Sequence, residues 1–430
     1  MSGTAIIGLQ WGDEAKGKIV DLHTEQSDIV VRYQGGANAG HTVVLDDKKY
    51  KLSLIPSGIF HPTVQCVVAC GVVLNPASIL QEIDGLKAQG IAIGKNLMVS
   101  DRAHVIFPWH AIEDRIFDSI GDGESIGTTM RGIGPCYRDK VGRSLAIRLG
   151  DLYRPAFRQQ LETIVSAKNR LLEGSVVTAR PGDESPLDAD KIYHEFIEYA
   201  ERLRPYVADT TNYLLDAVDA DKRILFEGAQ GSLLDIDHGT FPYVTSSNSS
   251  GVGIPPGSGV PCGFIRKIIG VVKAYTTRVG GGPCPTEQDN DIGQRIRDRG
   301  NEYGTVTRRP RRCGWFDAVA ARYTVRLGGV DSLALMLLDV LSGFDELKIC
   351  VAYEIDGKRI TYFPGQIEDL RNAVPVYETL PGWKEEITEV RRFIELPENA
   401  HRYLERISEL LGKPIEIVSV GPDRRQTIFL

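Results

Sequence analysis

Gly12-Asp-Glu-Ala-Lys-Gly-Lys18 fits G-x-x-x-x-G-K, the spacing of a loop whose backbone N–H groups cradle phosphates. The apolar run Thr4 to Leu9 predicts a buried strand before it. Ile19 to Leu22 predicts the start of a helix behind it, so amides and a helix N-terminus converge on one anion. Two residues break the pattern. Ile19 stands where a Ser or Thr usually gives Mg2+ a hydroxyl, and Asp13 puts a carboxylate into a ring of donors meant for phosphates, which would repel it. Either a metal ion neutralises Asp13, or Asp13 takes a proton from a reacting group.

Other stretches are too polar and glycine-rich to be core. Gln34 to Thr42 carries Asn38 and His41. Ser125 to Pro135 is a glycine and hydroxyl loop ahead of the basic stretch ending at Arg143. Gly228-Ala-Gln-Gly231 follows a buried strand, and the loop from Asp235 to Asn248 holds Thr245. A long loop of this kind in a compact protein is usually functional. Gly304 to Arg312 is strongly basic, and Asp339 closes an apolar run.

The elements that must position these residues alternate. Strands are predicted at 28–33, 50–55, 64–69, 224–227, 333–341 (carrying Asp339) and 415–420, and the core resumes at 271–279. A hairpin is predicted at 348–353 and 359–363. Helical periodicity marks 78–89, 110–118, 155–172, 190–219 and 398–411. No internal repeat is visible. The pattern predicts an α/β fold: a mainly parallel wound sheet with long functional loops at its carboxyl edge. Residues 1–430 read as a single catalytic domain, with an exposed excursion near 181–186.

Composition narrows the class. A net charge of −7 argues against nucleic acid as partner, even though Arg308 to Arg312 alone could pass for a nucleic-acid patch. With 42% hydrophobic and 25% charged residues, no membrane-length apolar run and no room for a signal peptide before the first strand, a soluble cytoplasmic protein is expected. Seven scattered cysteines without metal spacing predict buried reduced thiols, with Cys66 and Cys70 on one strand face.

Taken in order, Q-W-G-D-E-x-K-G-K, G-G-x-N-A-G-H-T, G-T-T-x-R-G-I-G-P, F-E-G-A-Q-G, H-G-T-F-P-Y-V-T-S-S-N and the arginine loop resemble the adenylosuccinate synthetases over nearly the whole chain. That family joins IMP to L-aspartate while hydrolysing GTP, through a 6-phosphoryl-IMP intermediate, as a Mg2+-dependent homodimer at the first committed step of AMP synthesis. The resemblance implies Asp13 as the base that takes the N1 proton of IMP and His41 as the catalytic acid. Asp13 and the Gly40 carbonyl would bind one Mg2+ per subunit. GTP, a co-substrate, would meet Gly12, Asp13, Glu14, Ala15, Lys16, Gly17, Lys18, Gly40, His41, Thr42, Arg311, Leu337, Leu338, Asp339, Ser419, Val420 and Gly421, with Lys16 and Lys18 as fixed charges on the phosphates. IMP would meet Asp13, Lys16, Asn38, His41, Thr129, Gln230, Thr245 and Arg309, with Arg143 reaching in from the partner subunit. L-Aspartate would meet Val279, Thr305, Val306, Thr307, Arg308, Arg309 and Arg311.

Three residues depart from the family pattern. Ala15 replaces a usual glycine, Val306-Thr-Arg308 replaces Thr-Thr-Gly, and Leu337 replaces the lysine of the guanine-reading T-K-x-D. They leave two other readings: a GTP-binding switch that needs only the phosphate loop and Asp339, and an inactive relative.

Overall fold

Short runs of branched apolar residues, covered on both faces, make the strands of the central sheet. The computed structural model describes residues 3–38, 40–45, 48–118, 126–173, 186–304 and 310–430, with backbone alone at 41–45, 48 and 49. In chain order the sheet strands are β1 (Gly3–Gly8), β2 (Ile29–Arg32), β3 (Gln65–Val68), β4 (Leu97–Ser100), β5 (Val207–Ala208), β6 (Ile224–Gly231), β7 (Ile265–Lys273), β8 (Ser332–Met336), β9 (Ile415–Ser419) and β10 (Thr427–Phe429). Across the sheet they run β10-β9-β8-β7-β1-β6-β2-β3-β4-β5. Every neighbouring pair is parallel except β9 with β10. The wound parallel sheet expected from the alternating pattern is present.

Two large apolar cores flank it. One packs the helices Pro76–Ala88, Phe157–Glu173 and Ala189–Leu203 around Trp109, Phe157 and Phe196. The other packs Ala318–Leu327 and Glu398–Leu411 around Trp315, Trp383 and Tyr403, beside a small mixed sheet built on Glu346–Ile355. The hairpin predicted there and the helix 398–411 are both found.

Most expected site segments leave the sheet at a strand's carboxyl end, whereas Thr129 and Arg143 flank the helix Ile133–Gly142. The phosphate loop follows β1, residues 34–42 follow β2, Val279 lies beyond β7, Leu337–Asp339 follow β8 and Val420–Gly421 follow β9. A parallel sheet forces this convergence, because all its strands end on the same edge.

Several boundaries differ from the pattern. The helix behind the phosphate loop starts at Lys16, before Ile19. Periodicity at 190–219 hides two helices, Ala189–Leu203 and Thr210–Asp219, separated by β5. The strand expected at 50–55 is Lys48–Leu52, paired antiparallel with His41–Leu45 outside the central sheet, so His41 opens a hairpin strand and not a glycine turn. The apolar run 333–341 is not all strand. β8 stops at Met336 because Leu337 adopts left-handed φ 61° and ψ 37°, and Asp339 sits in the one-turn helix Leu338–Leu341. All seven cysteines are free, but Cys262 is exposed and Cys70 lies beyond β3, half-buried. The excursion expected near 181–186 falls, at 181–185, outside the described residues.

Candidate active site

The phosphate loop is built on left-handed residues. Gly12, Asp13 and Ala15 have φ of 88°, 60° and 61°. This backbone turns successive amides inward, and only glycine adopts it without Cβ strain. Ala15 is therefore a real departure.

The two carboxylates of the loop point opposite ways. Glu14 is fully buried, and its Oε1 accepts the N–H groups of Gln10 and Gly12 at 3.0 and 2.9 Å. Its Oε2 holds the Lys16 ammonium at 2.6 Å. The pocket exists because Gly8 and Gly231 lack side chains: a Cβ at either would come within 2.4 and 2.5 Å of the Glu14 oxygens. The Glu14 side chain is thus fully engaged by the loop's own amides and by Lys16. Asp13 is exposed and forms an ion pair with Arg311, Nε to Oδ2 2.8 Å.

Lys18, expected as a fixed charge on the phosphates, has its ammonium engaged by the turn after β9. Its ammonium donates to Ser419 Oγ, Gly421 O and Gln426 O at 2.8, 2.9 and 3.0 Å. Burial lowers its pKa to about 8 against the raising pull of Asp339 and Asp423. Lys18 therefore ties the loop helix to the turn Ser419–Gly421. Asp339 faces the same region. Its Oδ1 is buried with no hydrogen-bond partner, and burial raises its pKa. A buried acceptor left unpaired is costly, so this oxygen is shaped for an incoming donor. Leu337 packs beside it against the apolar residues around Ile19 and Met336.

On the other side of the loop, both amide atoms of Gln230 and the hydroxyl of Thr245 are buried and unpartnered. Gln230 has a left-handed φ of 57° and approaches Gly12 and Gly35. Asn38 lies nearby in sequence, its Oδ1 accepting the Gly36 N–H at 3.2 Å. Thr129 and Val279 are exposed. Arg143 is exposed at the end of the helix Ile133–Gly142, and its side chain makes no hydrogen bond or ion pair among the described residues. That helix is pinned below by buried Asp139, which meets His110 at 3.1 Å and Lys168 at 2.7 Å. Thr305, Val306, Thr307, Arg308 and Arg309 lie outside the described residues, as do the side chains of His41 and Thr42.

Pattern reading missed several supports. Arg278, almost wholly buried, lies over the Trp11 ring at 5.3 Å and donates to Pro283 O, Thr240 Oγ1 and Tyr243 O. It ties the phosphate loop to the loop carrying Thr245. Glu302 and Lys273 were missed as well, since each looks like an ordinary solvated charge in sequence.

The chain matches the adenylosuccinate synthetase family over residues 5–428. It is 50% identical to the adenylosuccinate synthetases of Streptococcus gordonii and Streptococcus sanguinis, covering 100% of this chain and 98% of each relative. Its fold is similar to the fully ligated adenylosuccinate synthetase of Plasmodium falciparum, with a TM-score of 0.91, 39% identity and 99% of each chain covered. A succinoaminodeoxyadenylate synthetase of cyanophage S-2L, 20% identical, shares the fold at a TM-score of 0.61 over 100% of this chain and 95% of its own. A family match over residues 5–428 and half-identity over its full length to named members mean that this chain belongs to the adenylosuccinate synthetase family.

Proposed function

We propose that Asp13 and His41 carry the reaction of this family, the GTP-dependent joining of IMP and L-aspartate to give adenylosuccinate. The reaction itself follows from family membership over the full length. The observation that supports the residue roles is Asp13, exposed within the phosphate loop next to Gly12, which Gln230 approaches with its side-chain amide unpartnered. A neutral lactam oxygen is a poor nucleophile. Asp13 takes the N1 proton, and the 6-oxygen attacks the γ-phosphorus as the bond to the GDP oxygen breaks. His41 donates its proton to the GDP oxygen on which charge builds as that bond breaks. The amine of L-aspartate then attacks C6, forming the C–N bond as phosphate leaves. Lys16 is the fixed charge of this step, and it must exchange Glu14 for the phosphates.

The donor set fits a magnesium ion. Arg311 meets Asp13 at Oδ2, Asp13 is exposed and supplies hard carboxylate oxygens, and Mg2+ is usually held by one or two carboxylates plus substrate phosphates. Asp13 and the Gly40 carbonyl would hold it, and it would neutralise charge on the phosphates.

Asp339 reads guanine N1–H and the 2-amino group, and Leu337 covers the purine face in place of a lysine stem. Gln230, Thr245, Asn38 and Thr129 take IMP, while Val279 and residues 305–311 take L-aspartate. Arg143, exposed two residues after the exposed apolar Val141, serves the site of a second copy in a homodimer. A single catalytic domain working in the cytoplasm is part of the same reading. No helix among the described residues is long and apolar enough to cross a membrane.

The test is Asp13→Asn. Turnover to adenylosuccinate, followed by absorbance, should fall about a hundredfold or more, as for a lost general base, while IMP affinity changes severalfold at most. Near-normal turnover would overturn the assignment.

A further inference from the structure

Beneath the phosphate loop runs a chain of alternating charges. Arg311 reaches Asp13 with Nε at 2.8 Å and Glu302 Oε2 with Nη1 at 2.5 Å. Glu302 Oε1 is held by the Lys273 ammonium at 2.5 Å and by the Tyr275 hydroxyl at 2.6 Å. Lys273 also donates to Thr277 Oγ1 at 2.8 Å. The backbone repeats the link, since the Arg311 N–H donates to the Glu302 carbonyl at 2.9 Å. Side-chain exposure climbs along the chain: 0% at Lys273, 1% at Glu302, 14% at Arg311 and 36% at Asp13. The anchored end lies at the last residue of β7, and the open end lies in the phosphate loop.

A buried ion pair is weak evidence for stability, because desolvating both charges offsets their attraction and apolar residues of like volume often do as well. Lys273 and Glu302 therefore need a reason beyond folding, and the reason is at the other end of the chain. A carboxylate among inward-turned amides and phosphates needs a counter-ion, and it needs orientation. We propose that Glu302, fixed by Lys273 and Tyr275, is a positioning residue for the reaction. It holds the Arg311 guanidinium against Oδ2 of Asp13, so that the carboxylate is charge-compensated and presents its other oxygen. This rests on the reading of Asp13 as the base. Glu302 acts only through Arg311 and touches no substrate.

The experiment compares Glu302→Gln and the double variant Glu302→Leu/Lys273→Met with the full-length protein, measuring melting temperature, kcat and the KM for IMP. The double variant removes both buried charges and should melt within a few degrees of the unmodified protein. Its kcat should nevertheless fall about tenfold or more, with the KM for IMP changed less than about threefold. A merely structural pair predicts the opposite: restored melting temperature and restored turnover together. Should the double variant fail to fold, Glu302→Gln alone decides, with a fivefold or greater loss of kcat expected at unchanged KM for IMP. Turnover within twofold of normal in either folded variant overturns the proposal. Asp13→Asn is assayed alongside: normal turnover there with loss in the Glu302 variants would sink the base assignment, not the link from Glu302 to Arg311.

Discussion

Asp339 shows how much one buried atom can say. Its unpartnered Oδ1 sits near Lys18 and beside Leu337, and burial raises the pKa of its carboxyl. Guanine offers two donors to such a group, and adenine offers none in that position. Hydrogen bonds to a charged acceptor contribute roughly 1.5–3 kcal/mol, so GTP should be used over ATP by about tenfold or more. Leu337 supplies apolar cover without an ammonium, which weakens nucleotide affinity rather than base choice. Asp339→Asn should move preference toward xanthosine triphosphate, whose 2-oxygen accepts where guanine donates. Initial rates with GTP, ATP and XTP at matched Mg2+ check both statements, and equal use of ATP and GTP by the unmodified protein refutes the first. The acid was legible in sequence as the survivor of T-K-x-D. Its orphaned oxygen was not, because that depends on what packs over it.

At the scale of the element, the phosphate loop pays for its shape at Ala15. A left-handed φ of 61° costs an L-residue roughly 1–2 kcal/mol, whereas glycine there costs about 0.4–1 kcal/mol in unfolded-chain entropy. The first term is larger. Ala15→Gly should therefore stabilise the protein by up to about 1 kcal/mol in denaturant titration, with GTP affinity equal or better. A clear loss of stability would mean that the loop relaxes around Ala15. The strand, loop and helix were readable from an apolar run followed by spaced glycines. The helix start at Lys16 was not, since Ala15 in place of glycine gives no signal of a left-handed cap.

At the scale of the molecule, two outcomes follow. Burial, with Lys140 and Arg148 nearby, lowers the pKa of His104 from 6.5 to about 4, and its Nδ1 has no partner. The folded chain then binds fewer protons than the unfolded chain between those values. Stability from this group is full above pH 6.5 and drains as pH falls toward 4, by about 2–3 kcal/mol at the acid end. Melting temperatures from pH 7 to 4.5 should fall less steeply for His104→Gln, and parallel curves would exclude His104 as the cause. The second outcome concerns the proposed homodimer. Inactive Arg143→Leu and inactive Asp13→Ala proteins, once mixed and exchanged, should regain about a quarter of full activity, because statistical mixing leaves one intact site in each hybrid. No recovery after confirmed exchange would place Arg143 in its own subunit's site or outside it.

What the sequence determined by itself is local or periodic. Spaced glycines and alternating apolar runs specify a strand–loop–helix and a wound sheet, and they place Asp13, Gln230, Thr245 and Asp339 at its carboxyl edge, since parallel strands all end there. What only the tertiary structure decided is how charges pair over long separations. Lys18 meets Ser419 401 positions away, Glu14 turns inward between Gly8 and Gly231, and Lys273 and Glu302 stand behind Arg311. A charged residue in sequence reads as a solvated side chain until the fold removes its water. Once buried it must find its counter-charge wherever packing has brought one, and no local pattern records which one that is.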